Sequence, residues 1–161
     1  MNLGITGHQN LGNSSDIVWI RDILCKEIKN LVITRGYSCL AKGADQLFAE
    51  IILENNIDLV VLIPSQHYEE TFKDSIDMSS FRRLKNKATT IIQLNNKEPN
   101  SFAFFDASKI LVDNCEVLLA VWNGKPAEGF GGTADVVYYA RLLKKPIIQV
   151  NPISKEVIYI N

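Results

Sequence analysis

Apolar and polar positions fall into short alternating blocks along this chain. Leu3-Gly4-Ile5-Thr6-Gly7 is a brief apolar run ending in glycine, which predicts a first, central strand followed by a loop from His8 to Gly12. Ser14, Ser15 and Asp16 offer N-caps for a helix. Ile17, Ile20, Ile23, Leu24, Ile28, Leu31 and Val32 recur at spacings of three and four, so the helix is predicted to run to about Arg35, with Gly36 as its C-terminal cap. Tyr37 to Ala41 reads as a second strand, Lys42 to Asp45 as a turn, and Asp45 to Asn55 as a helix with Leu47, Phe48, Ile51 and Ile52 inward. Ile57 to Ile63 is a continuous apolar run stopped by Pro64, the pattern of a strand buried on both faces.

The second half repeats the alternation. Ser65 to Ser80 is polar and reads as a loop with helical pieces, Phe81 to Lys87 as a basic helix, and Thr89 to Leu94 as a strand. Asn95 to Asn100 is a turn, Phe102 to Asn114 a helix, and Val117 to Trp122 a buried strand. Gly129-Phe130-Gly131-Gly132-Thr133 then leads into a helix from Asp135 to Leu143 and a strand from Pro146 to Val150. Alternating strands and helices without a linker or repeat predict one α/β domain over residues 1–161, with a mainly parallel sheet and helices on both faces. In such sheets ligands bind beyond the C-terminal strand edges, near a switch in strand order.

Three loops fall at that edge: Thr6-Gly7-His8-Gln9, Lys42-Gly43-Ala44-Asp45, and Gly131-Gly132-Thr133. Glycine lets backbone approach a ligand, and first-turn N–H groups of a helix attract anions. Together the three turns predict a cleft for a phosphorylated or ribosylated ligand. Gly131, Gly132 and Thr133 are the expected phosphate donors. Asp135 and Asp45 each have two readings, as a helix-start carboxylate favoured by the helix dipole or as a ribose contact. Thr6, Gly7 and His8 would line the cleft floor, and Trp122 has a packing and a base-stacking reading. Arg82 and Arg83, with Lys85, form the one compact basic cluster, either a phosphate clamp or a solvated helix face.

Composition narrows the classes. The formal net charge of −1 argues against bulk binding to nucleic acid or anionic membrane. Three cysteines, Cys25, Cys39 and Cys115, share no metal-type spacing and sit in apolar contexts, so reduced buried thiols are expected. Two histidines are too few for a histidine-built metal site, and neither a metal nor a bound cofactor is expected. No apolar run reaches the roughly 20 residues of a membrane helix, and no signal-peptide pattern is present, so a cytoplasmic location is expected. The P-loop and dinucleotide fingerprints are missing, as are the nucleophile elbow and the His-Glu-x-x-His motif.

At these residues the chain resembles the SLOG superfamily. That group unites the Rossmann-like domain of DNA-processing protein A, the Lonely Guy-type phosphoribohydrolases and many bacterial nucleotide-sensing domains. The resemblance rests on Ile5-Thr6-Gly7, on Ala41-Lys42-Gly43-Ala44-Asp45 with Phe48-Ala49-Glu50, and on Leu62-Ile63-Pro64. It continues through Ala120 to Pro126, Gly131 to Asp135 and Tyr139-Ala140, and so covers nearly the whole chain. It implies a Rossmann-like three-layer sandwich that binds a nucleotide or a nucleotide-derived molecule such as an ADP-ribose derivative, often as a homodimer or higher oligomer.

One branch of that group hydrolyses the N-glycosidic bond of nucleoside monophosphates, using Pro-Gly-Gly-x-Gly-Thr-x-Glu-Glu and an arginine on the preceding helix. Aligned on Gly132-Thr133, Asp135 takes the place of the first glutamate and Val136 that of the second, while Ala107 and Ser108 stand where arginine and lysine are expected. The chain keeps the cradle and one carboxylate and lacks much of the hydrolase pattern. The sequence therefore reads first as a nucleotide-binding module. An N-glycosidase acting through Asp135, with Glu50 or Glu128, is the alternative, and a single-strand DNA binder is the third class.

Overall fold

The computed structural model describes residues 1–161. In chain order the elements are β1 (Asn2–Gly7), α1 (Ser14–Asn30), β2 (Arg35–Ser38), α2 (Ala44–Glu54) and β3 (Asp58–Ile63). A 3₁₀ turn (Tyr68–Thr71) precedes α3 (Ser75–Lys87) and β4 (Thr90–Gln93). Then come α4 (Ser101–Asn114), β5 (Val117–Val121), α5 (Thr133–Leu142), β6 (Ile147–Asn151) and β7 (Glu156–Ile160). No helix is long and apolar enough to cross a membrane.

The strands form one seven-stranded sheet in the order β4-β3-β2-β1-β5-β6-β7. All pairs are parallel except β6–β7. The chain walks outward from β1 to β4, returns to lay β5 against the other side of β1, and walks outward again. The switch in strand order thus lies between β1 and β5, where Thr6 pairs with Ala120 and Gly7 with Val121.

Alternate strand residues go to opposite faces, which builds two cores. Leu3, Ile5, Leu59, Val61 and Ile63 join residues of α1, α2 and α3 such as Leu24, Phe48 and Phe81. Val60, Leu62, Leu118 and Ala120 join α4 and α5 through Leu111, Val112, Val136 and Ala140. The unbroken apolar runs of β3 and β5 are explained by this burial on both sides. The result is the α/β Rossmann-like sandwich expected from the sequence.

Element bounds depart from the sequence reading in several places: β2 is Arg35–Ser38 rather than Tyr37 to Ala41, and α3 begins at Ser75 rather than Phe81. Helix α1 ends at Asn30 rather than near Arg35, because Leu31 is extended and Thr34 N–H already bonds Met1 O at 2.9 Å. Gly36 is accordingly inside β2, paired with Leu3 and Leu59, and is no helix cap. A Cβ there would lie 2.6 Å from Ile52, so glycine lets α2 pack directly on the strand. Strand β7 carried no sequence expectation: its residues are largely exposed, and it is fixed by pairing with β6 and by Tyr159 Oη donating to the buried Glu27 on α1 at 2.9 Å.

Candidate functional site

A cavity of about 1220 Å³ opens at the C-terminal edge, over the β1–β5 switch. Thr6, Gly7 and His8 line it, as do Lys42 and Asp45, Trp122 and Asn123, and the loop from Lys125 to Thr133. The three loops singled out from sequence therefore meet at one place. The space exceeds what a phosphate group alone fills, and pockets of this kind take whole organic ligands.

The α5 end of the cavity is open to an anion. Gly132 is the N-cap of α5 and supplies no side-chain cap, and the N–H groups of Gly132, Thr133 and Ala134 have no partner within the chain. Asp135 and Val136 N–H groups both fall back on Gly132 O, at 3.0 and 3.3 Å. Gly131 has φ +83°, and a Cβ there would lie 2.7 Å from Ser101 O, so only glycine turns the chain this tightly against α4. Its N–H donates to Asp135 Oδ2 at 2.8 Å. Asp135 thus fastens the loop to its own helix, and it is not among the residues lining the cavity. Free first-turn donors plus the helix dipole make an anion seat, with Lys125, unpaired on the same loop, as a nearby cation.

The α2 turn is built the other way. Ala44 N–H donates to His8 O at 3.1 Å and Gln46 N–H to Ala41 O at 3.2 Å, so two of the three first-turn donors are taken by the chain's own carbonyls. Gly43 has φ +86°, and a Cβ there would lie 2.4 Å from Gln9 O and 2.5 Å from His8 O. The glycine is needed so that the loop after β1 can lie on the turn after β2. Ala44 is fully buried and does not line the cavity, and neither does Gly43. Asp45 turns inward: Oδ2 accepts from Cys39 N–H at 3.1 Å and from Ser38 Oγ at 3.5 Å. Burial pushes its carboxyl up to about 7, against the opposing effect of those hydrogen bonds.

The remaining sequence candidates divide. His8 lines the cavity and its Nε2 accepts from Asn123 N–H at 3.1 Å, which in the neutral ring leaves the proton on Nδ1. Trp122 is 8% exposed, and its indole N–H donates to Lys125 O at 2.8 Å. It is a wall that holds the cradle loop, with little face free for a base. The basic cluster lies elsewhere: Arg82 bonds Glu69, Arg83 Nη2 bonds Glu50 Oε1 at 2.5 Å, and neither arginine lines the cavity. Of the two readings of Arg82 and Arg83, these ion pairs favour the solvated helix face. Glu50, also paired with Arg21, is outside the cavity too, whereas Glu128 lines it.

Sequence reasoning missed Cys39, Tyr68, Asn123 and the lysines Lys73 and Lys125, all of which line the cavity. Asn123 and Lys125 fall within the Ala120–Pro126 stretch of the family pattern and could have been found there. Tyr68 belongs to the polar segment that carried no periodicity. No group of three His, Cys, Asp or Glu side chains is close enough to hold a metal ion.

The sequence matches no protein-family model and no curated protein. Solved structures do match. DNA processing protein A from Helicobacter pylori, described for its single-stranded DNA binding mode, superposes with a TM-score of 0.66 at 15% identity over 92% of this chain and 64% of that one. The Streptococcus pneumoniae DNA processing protein A gives 0.65 at 14% identity over 92% of this chain. This chain spans only 49% of the pneumococcal protein. The molybdenum cofactor binding protein from Rippkaea orientalis gives 0.54 at 14% identity, over 92% of this chain and 74% of that one. The chain shares the α/β, Rossmann-like fold of these proteins.

Proposed function

We propose that the chain binds a nucleotide or nucleotide-derived small molecule, its phosphate on the N-terminus of α5 and its remainder in the cavity toward His8 and Thr6. The observation that carries this reading is the set of unpartnered N–H groups at Gly132, Thr133 and Ala134, beside a large cavity at the strand-order switch. Binding without turnover fits a sensor or a store for a nucleotide signal. Cleavage has less support: of the three carboxylates weighed for it, Asp135 is committed to Gly131 N–H, Glu50 is ion-paired outside, and Glu128 alone lines the cavity. Single-stranded DNA has less support as well, since the net charge is −1 and no arginine lines the cavity.

A thermal-shift screen with nucleoside monophosphates, cyclic nucleotides and ADP-ribose tests the reading, because a ligand bound only by the native state raises its stability. A shift with at least one compound is expected, without release of free base. No shift across the set would remove the reading, and base release would replace it with the glycosidase. The homodimer that the family resemblance implies is part of the proposal, and light scattering tests it.

A further inference from the structure

The end of the cavity away from α5 is made by the segments after β2 and β3. Cys39, Asp45 and Tyr68 line it, with Thr6 of β1. All four are deeply buried, Tyr68 being 5% exposed, Asp45 7%, and Thr6 and Cys39 8% each. The Tyr68 ring is held edge-on by Phe72, Phe81 and Phe104 at centroid separations of 5.5, 5.6 and 5.9 Å. Its position is therefore fixed, yet its hydroxyl makes no hydrogen bond within the chain. Burial, with Cys39 and Asp45 adding to it, holds the phenol well above its ordinary pKa and so neutral. The Thr6 hydroxyl likewise has no partner in the chain. Both residues line the cavity, and neither hydroxyl is among the atoms sealed inside the protein without a partner, so each is left available to a ligand in that space.

Phe72 and Phe104 line the cavity beside Tyr68. Aromatic walls with a few fixed donors and acceptors suit a planar heterocycle with a hydrogen-bonding edge better than a sugar or a second phosphate. We propose that this end is the nucleobase subsite of the ligand, with Tyr68 as the residue that discriminates among bases. The inference rests on the nucleotide reading of the α5 cradle and adds which part of the ligand lies where. A site that hydrogen-bonds a ligand group rejects analogues lacking it, because its own buried group is then left unpaired.

Calorimetric titration of the wild type and Tyr68→Phe with AMP, CMP, GMP, UMP and ribose 5-phosphate tests it. The substitution keeps the ring and its contacts, which circular dichroism and Tm would verify. The expected result is a roughly tenfold weaker affinity for the preferred monophosphate and a change of less than about twofold for ribose 5-phosphate. The spread among the four bases should also narrow. Equal losses for monophosphate and ribose 5-phosphate, or no loss for either, would overturn the subsite. A wild type that binds ribose 5-phosphate but prefers no base would overturn it too, while leaving the cradle standing. Binding of none of the five would overturn the cradle and the subsite together.

Discussion

The turn before α2 and the turn before α5 look alike in sequence, each placing glycine just ahead of a helix, and they do opposite things. Gly43 brings two backbone segments together, so that His8 O takes the Ala44 N–H, while Ala41 O of the same turn takes that of Gln46. Gly131 also marks a close approach, to Ser101 O, but no carbonyl arrives at the first turn of α5, and its donors stay free. A glycine before a helix therefore reports a tight approach. Whether the helix end is open to a ligand is decided by which neighbouring backbone makes that approach.

The comparison breaks most sharply at Gly43. Gly43→Ala puts a side chain at positive φ and against two carbonyl oxygens, so a loss of roughly 3 kcal/mol or more is expected in urea denaturation. Gly132→Val tests the other turn. Gly132 has φ −76°, and the nearest atom to a Cβ is that of Ala127, at 2.9 Å on the cradle loop. Stability should fall by less than in Gly43→Ala, by about 2 kcal/mol as the Ala127 loop gives way, while affinity for a phosphorylated ligand falls by roughly a hundredfold because the seat is displaced. If the two variants lose stability equally, the contrast between the turns is wrong.

Asp45 sharpens the same contrast through pH. Its folded-state pKa is about 7 against 3.8 for the free side chain, so the folded protein binds more protons between those values. Stability from this group is fully present below pH 3.8 and declines as pH rises through about 7. Asp45→Asn should remove that slope, gaining on the wild type across this range by on the order of 2 kcal/mol, measured as denaturation midpoints from pH 4 to 8. Asp135 gives the smallest effect. Asp135→Ala removes the acceptor for Gly131 N–H and should cost about 1 kcal/mol while weakening ligand binding severalfold. A complete loss of binding with no change in stability would instead give Asp135 a direct role on the ligand.

Much of this architecture was legible in the pattern of apolar runs. Val117 to Trp122, Ile57 to Ile63 and the helix spacings of α1 and α2 are strong local signals, and strict alternation of strand and helix implies the parallel sheet. The boundary at Asn30 was not legible, because Leu31 and Val32 continue the helical spacing while pairing of the Thr34 backbone with Met1 ends the helix. Strand β7 was hidden because its residues are half on the surface and its partner strand decides it. At the site, the meeting of the three loops followed from their shared strand edge. The inward turn of Asp45, the closing role of Asp135 and the removal of Arg82 and Arg83 from the cavity depend on partners far away in sequence, namely Cys39, Gly131, Glu69 and Glu50.

The central claim, that α5 and not α2 presents the anion seat, is tested most directly by following backbone amide resonances in a ¹⁵N-labelled sample titrated with ribose 5-phosphate. Saturable shifts concentrated at Gly132, Thr133 and Ala134, with Ala44 and Gln46 unmoved, are the predicted result. Shifts centred on Ala44 and Gln46, or none at either helix start, would contradict it.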